Sequence, residues 1–134
     1  MLSHETIIRV RYGETDKMGI VYYGTYSLYY EVGRTDLMRK YKISYSEMER
    51  QGIQMPVIHM DCFYLKPAFY DDLIQVHTFV KELPKSKIKF EYEIYNSEKT
   101  LINKASTTLI FLDSQTGKPA RAPFNFIEKI KNFF

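Results

Sequence analysis

The chain has 134 residues, 12 of them Tyr and 9 Phe, with no Trp, a single Cys and a net charge of +3. That length suits one domain with a real core; the charge is too small for a nucleic-acid footprint and favours an anionic ligand over a cationic one. With Cys62 alone, neither an intrachain disulfide nor a cysteine-cluster zinc site can form, which fits a reducing compartment.

Met1-Leu2-Ser3-His4-Glu5 lacks the basic-then-apolar pattern of a secretory signal, and no run reaches membrane-spanning length, so a cytoplasmic protein without an integral membrane segment is expected. His4 is expected in an unanchored terminus. Glu5 to Tyr12 alternates, with Thr6, Ile8, Val10 and Tyr12 on one side and Ile7, Arg9 and Arg11 on the other, which reads as a strand. A loop with glycines at 13 and 19 follows. Tyr22 to Lys42 reads as a helix, because Tyr26, Tyr30, Gly33, Leu37 and Tyr41 recur at spacings of three and four. Gly33 inside that helix costs roughly 1 kcal/mol relative to Ala, and its benefit is close backbone approach to a sheet. Tyr45 to Gln51 reads as a second short helix ended by Gly52.

Four strand-like segments come next: Pro56 to Leu65, Asp72 to Glu82, Lys87 to Asn96 and Thr100 to Leu112. In the third, Ile88, Phe90, Tyr92 and Ile94 alternate with Lys87, Lys89, Glu91 and Glu93, the pattern of an antiparallel sheet with one wet face. Turn signals separate these segments, and Phe126, Ile127, Ile130, Phe133 and Phe134 give the tail helical spacing. No repeat, linker or low-complexity stretch divides the chain, so residues 1–134 form one domain. The order is β-α-β-β-β-β-(α), an α+β architecture. One helix cannot cover a five-stranded sheet, and the leftover apolar surface and free edges call for a symmetric homodimer. The tyrosine excess suits subunit contacts and an apolar pocket.

Asp16 sits in the loop that opens the first helix. A helix N-terminus concentrates unpaired N–H groups and positive partial charge. A carboxylate beside it can attack, or activate water against, a carbonyl whose oxygen those N–H groups hold. Alone, Asp16 reads equally as a turn or N-cap aspartate. Three scattered histidines without ligand spacing, no G-x-S-x-G elbow and no phosphate loop leave no sign of a metal, another cofactor or a serine nucleophile.

Tyr12, Thr15-Asp16, Gly19, Val21-Tyr22 and Tyr26, followed by Glu31, Arg34-Thr35 and Leu37, make a specific pattern. Pro56-Val57-Ile58, Lys66-Pro67-Ala68, Tyr70-Asp71-Asp72-Leu73 and Phe90-Glu91-Tyr92-Glu93-Ile94 extend it over about residues 5 to 113. This pattern resembles the hotdog-fold acyl-CoA thioesterases, specifically the 4-hydroxybenzoyl-CoA thioesterase superfamily and its YbgC-type branch. The resemblance implies a sheet wrapped round the helix, a homodimer or homotetramer, and hydrolysis of an acyl-CoA thioester without a cofactor. It implies that Asp16 is the catalytic carboxylate and that the backbone N–H of Tyr23 polarises the thioester carbonyl. Many relatives carry His where this chain has Tyr23; a backbone role survives that change and an imidazole role does not. The usual Ser on the next strand is His59 here.

The substrate-binding candidates are Gly19 and Gly24, for close backbone approach; Tyr22 and Tyr26, for the acyl wall; His59; and Lys85 and Lys87, at a turn where the family holds CoA phosphates. Lys118 and Arg121 are weaker candidates for the phosphate role. Glu31 and Arg34, three apart, can pair on the helix surface. A CoA thiolate leaves readily, its thiol pKa lying near ~8.5, so the chemistry reduces to oxyanion stabilisation and attack by Asp16 or by water it activates. Two other readings remain: a non-catalytic acyl-CoA or acyl-carrier-protein binding module, and a hotdog acyl-thioester dehydratase using His59 and Asp61.

Overall fold

The computed structural model describes residues 1–134. Its elements in chain order are β1 (Leu2–Arg9), α1 (Tyr26–Lys40), α2 (Tyr45–Arg50), β2 (Ile53–Gln54), β3 (Val57–Tyr64), β4 (Leu73–Val80), β5 (Lys87–Tyr95), β6 (Leu101–Asp113), β7 (Pro119–Ala120) and α3 (Phe124–Ile130). Five long strands form an antiparallel sheet in the order β1-β4-β5-β6-β3, and the two-residue strands β2 and β7 extend it at the far end of β6.

The first strand lies three residues earlier than its alternation suggests. Leu2 to Arg9 pairs with Val80 to Leu73, so His4 is fixed opposite Thr78 rather than unanchored. Tyr12 leaves the strand for a 3-10 turn over Tyr12–Glu14 and is 77% exposed. The expected inward face otherwise holds, with Thr6 and Val10 buried.

Helix α1 lies mainly across β1 and β4 and buries Tyr26, Tyr29, Tyr30, Gly33, Leu37 and Met38, with Tyr30 stacked on Tyr92 of β5. A Cβ on Gly33 would stand 2.6 Å from Thr78 Oγ1 and 2.9 Å from Val76 Cγ1, so glycine lets helix and sheet close to this distance. Arg39 and Lys40 occupy the last turn, where the helix dipole favours cations. The sheet supplies Ile74, Val76, Val80, Ile88, Phe90, Tyr92, Ile94 and Leu109 to the same core, and α3 seals the far end through Phe126 on Phe111.

Strand β3 is different. It occupies the end of the five-strand order, and seven of its eight residues are exposed, including Val57, Ile58, Met60, Phe63 and Tyr64. Val57, Ile58, Met60 and Phe63 are left 45–61% exposed, while Tyr64 at its end meets Tyr23 and Tyr26.

Candidate active site

The loop between β1 and α1 is held in shape mostly by backbone. Asp16 N–H donates to the Ile20 carbonyl at 2.9 Å and Gly19 N–H to the Asp16 carbonyl at 3.0 Å. Gly19 adopts φ +80°, the left-handed region open to glycine, which closes this turn. One carboxylate oxygen, Oδ1, accepts the Met18 N–H at 2.8 Å. This bond is the turn-type contact of Asp16; it orients the carboxylate and leaves Oδ2 without a hydrogen-bond partner.

The loop is fastened to the rest of the molecule at both ends. Val21 N–H donates to the Ala68 carbonyl at 2.8 Å, and Ile20 bridges Phe69. Glu14 ties it to the helix. Its carboxylate accepts from Tyr29 Oη at 2.9 Å and from the Arg11 N–H at 2.8 Å, while its carbonyl accepts the Tyr22 N–H at 2.9 Å. Burial pushes the Glu14 carboxyl up, but the hydrogen bonds from the Arg11 backbone, the Tyr29 hydroxyl and the Arg11 side chain together leave it below the ordinary value. Burial, then the bond to Glu14, drives the Tyr29 hydroxyl far up.

Before α1 the chain makes a 3-10 turn over Tyr23–Thr25. Within the turn, Thr25 N–H donates to the Tyr22 carbonyl at 2.9 Å, while the N–H groups of Tyr23 and Gly24 donate to no carbonyl or side chain. These are the unpaired donors expected at a helix start. A Cβ on Gly24 would fall 2.8 Å from the Tyr22 ring, which folds back on Tyr23 with ring centres 4.6 Å apart.

Asp16 and Tyr23 line one open cleft of about 340 Å³. Its walls are Met18, Ile20, Val21, Tyr26, Tyr64, Leu65 and Pro67, with Lys66 at the rim. The structure thus brings together Asp16, Tyr23 and Tyr26 among the residues expected from sequence, with Gly19 closing the loop beneath and Gly24 following Tyr23. Tyr22 caps the turn, half exposed, and does not line the cleft.

Three other candidates lie elsewhere in the protomer. The cleft abuts Tyr64, which pairs with Asn103 on β6, whereas His59 pairs with Thr108 and Lys87 with Ile110. At ~3.4 Å per strand residue, His59 is roughly 17 Å and Lys87 roughly 24 Å along β6 from that point. His59 Nε2 stands 3.4 Å from Asp61 Oδ2 on the exposed edge strand, so the dehydratase pair exists, away from the cleft. Lys85 is exposed at the same far end, its carbonyl accepting the Ala122 N–H at 2.7 Å, and exposed Lys118 and Arg121 flank β7 there.

Glu31 and Arg34 do not pair. Arg34 turns inward toward Tyr92 of β5 and Tyr45 of α2, whose phenol oxygens face it, and Glu31 stays exposed. No group of three or more His, Cys, Asp or Glu residues is arranged to hold a metal ion. Tyr64 and Leu65 had no distinguishing signal in sequence, and Pro67 only its place in the Lys66-Pro67-Ala68 pattern; the β3–β6 register and the pairing of Val21 with Ala68 and Ile20 with Phe69 bring them to Asp16.

The thioesterase-like superfamily model matches residues 10–133. A protein of Bacillus subtilis named as an acyl-CoA thioesterase, YneP, is 40% identical over 112 residues, covering 84% of this chain and 81% of its own. The acyl-CoA thioester hydrolase YbgC of Escherichia coli is 29% identical over 124 residues, 92% of each chain. The solved DHNA-CoA thioesterase of Staphylococcus aureus superposes with a TM-score of 0.94 at 36% identity, covering 99% of this chain and 91% of that one. With the sheet, the buried helix and the Asp16 loop already in place, the chain belongs to the thioesterase-like superfamily and is a hotdog-fold thioesterase.

Proposed function

We propose that this thioesterase hydrolyses acyl-CoA at the Asp16 cleft, with the thioester oxygen facing the unpaired N–H groups at the start of α1. One observation carries the reading: Asp16, whose carboxylate keeps a free oxygen, and Tyr23, whose N–H is unpaired, line a single tyrosine-walled cleft, with the unpaired Gly24 N–H next in the chain. Asp16 serves either as nucleophile, through a mixed anhydride that water then opens, or as general base on the attacking water. In both cases the thiolate departs with little acid assistance, and the N–H groups stabilise the developing oxyanion. The apolar wall of Met18, Ile20, Tyr23, Tyr26 and Tyr64 receives the acyl group.

The protein works as a homodimer in this reading, built by antiparallel pairing of β3 with the same strand of a second copy. The exposed apolar edge of β3 supports it. Pairing centred on the middle of β3 sets the Val57 end of one protomer beside the Tyr64 end of the other. His59 and the Lys85–Lys87 turn then approach the second protomer's cleft, where the lysines meet CoA phosphates.

The test is thiol release from a panel of short-chain, long-chain, benzoyl and 1,4-dihydroxy-2-naphthoyl CoA thioesters, with wild type beside Asp16→Asn. Loss of at least ~100-fold in the variant is expected. Activity that survives the substitution removes Asp16 from the mechanism, and binding without thiol release turns the reading to a binding module.

A further inference from the structure

Strand β3 and the turn that begins α1 come from distant parts of the chain, and one hydroxyl joins them. Tyr64 Oη donates to the Tyr23 carbonyl at 3.2 Å, and the Cys62 thiol donates to Tyr64 Oη at 3.1 Å. The Tyr64 ring meets the rings of Tyr23 and Tyr26 edge-on, at 6.4 and 5.5 Å between centres. The preceding residue is gripped from the opposite side, where Tyr22 N–H donates to the Glu14 carbonyl. The turn is therefore clamped at two successive residues, once by the Asp16 loop and once by β3.

The peptide bond makes the second clamp consequential. The Tyr23 carbonyl and the Gly24 N–H belong to one planar unit and point in opposite directions when it is trans. A bond to the carbonyl fixes ψ of Tyr23 and with it the direction of the Gly24 N–H. It also polarises that N–H, since hydrogen bonds in series strengthen one another.

We infer that Tyr64 is a positioning residue for hydrolysis: its hydroxyl holds the Tyr23–Gly24 peptide so that the N–H groups opening α1 stay aimed at the thioester oxygen. The inference rests on the reading that the carbonyl is held at this turn. The hydroxyl remains a donor at any physiological pH, its pKa pushed up to about 12 by the hydrogen bond with Cys62 and then by burial. A phenylalanine would keep both edge contacts and lose the hydroxyl, with its bond to the Tyr23 carbonyl and the one it accepts from Cys62. Small errors in donor placement weaken oxyanion binding in the transition state more than they weaken substrate binding.

Steady-state thiol release by Tyr64→Phe tests this in the full-length protein, on the best substrate of the panel. The expected result is a fall in kcat of about tenfold with KM held within about twofold and an unchanged circular dichroism spectrum. A kcat equal to wild type overturns the inference. So does a raised KM at intact kcat, because Tyr64 would then serve only as acyl wall. Should Tyr64→Phe fail to fold, Cys62→Ala reads the same link, since it leaves the hydroxyl but removes its second partner: a fall in kcat of about threefold at constant KM supports the role, and an unchanged kcat overturns it. Asp16→Asn runs alongside. Turnover lost in Asp16→Asn but intact in Tyr64→Phe sinks the Tyr64 role alone, whereas turnover insensitive to Asp16→Asn sinks the underlying reading and this one with it.

Discussion

Replacing Gly33 by alanine sets two physical effects of opposite sign against each other. By intrinsic helix propensity, Ala gains about 1 kcal/mol over Gly in the interior of α1. Packing opposes it, because the new methyl would stand 2.6 Å from Thr78 Oγ1 and 2.9 Å from Val76 Cγ1. The Thr78 hydroxyl has no hydrogen-bond partner, so displacing it breaks no bond. Thr78 and Val76 are nevertheless both fully buried and β-branched, with restricted χ1, so neither Oγ1 nor Cγ1 can swing aside and the backbone of β4 must shift to admit the methyl. With two such neighbours inside 3 Å, the cost falls in the upper part of the overpacking range, about 2–3 kcal/mol, which leaves a net loss of about 1–2 kcal/mol after the propensity gain. At ~2.1 cal/mol/K of unfolding entropy per residue over 134 residues, this lowers Tm by about 4–7 °C. Thermal unfolding at one fixed protein concentration, followed by circular dichroism, reads the sign directly. A variant as stable as wild type, or more so, would show that the helix-to-sheet gap admits a methyl and refute the close-approach reading of this glycine.

Glu14→Gln removes the charge that Arg11 and Tyr29 share and destabilises the fold by about 0.5–1 kcal/mol at neutral pH. The Glu14 pKa is lowered on folding, so its contribution is complete above the unfolded value, near ~4.3, and disappears as pH falls through the lower folded value. Urea unfolding of both proteins at pH 7 and at pH 3 checks it: the two curves should converge in acid, and a gap that persists there argues against the carboxylate. Met60→Glu places a charge in the middle of exposed β3 and raises the dimer dissociation constant by at least ~100-fold if two copies pair along that edge. Sedimentation equilibrium of both proteins decides; a monomeric wild type, or an assembly untouched by the substitution, rejects the edge-pairing dimer.

The sheet and the main helix were legible because their apolar residues keep strict periods. Ile88 to Ile94 alternate inward, and Tyr26 to Leu37 recur on one helical stripe, so burial enforces the same choice that the pattern suggests. The first strand was misplaced because the alternation runs on through Tyr12, while Gly13 and Glu14 draw that residue into a turn; meanwhile Leu2, outside the expected span, pairs with Val80. Asp16 and Tyr23 were chosen because they match the family pattern, and they share a cleft because a loop and the helix it opens are neighbours in sequence. Tyr64 was not, because only the β3–β6 register carries it to the cleft. Nor did the pattern reveal that His59 and Lys87 lie far along the sheet from Asp16, since residue types at a turn or on a strand carry no information about which end of the sheet they occupy. Arg34 followed the same logic: spacing offered Glu31, and tertiary packing offered Tyr92 and Tyr45 instead.

The fastening of the Asp16 loop to Ala68 and Phe69 bears on how the cleft comes into being. Strands β4, β5 and β6 are joined by short turns and meet neighbours close in sequence, whereas Leu2 must find Val80. Bringing such distant segments together costs loop-closure entropy before any contact repays it. The Asp16 motif precedes in sequence the segments that fasten it, so it acquires its shape only once the chain beyond Ala68 is present and β1 has docked. A fragment ending after α1 would contain every residue of the Asp16 motif and no cleft.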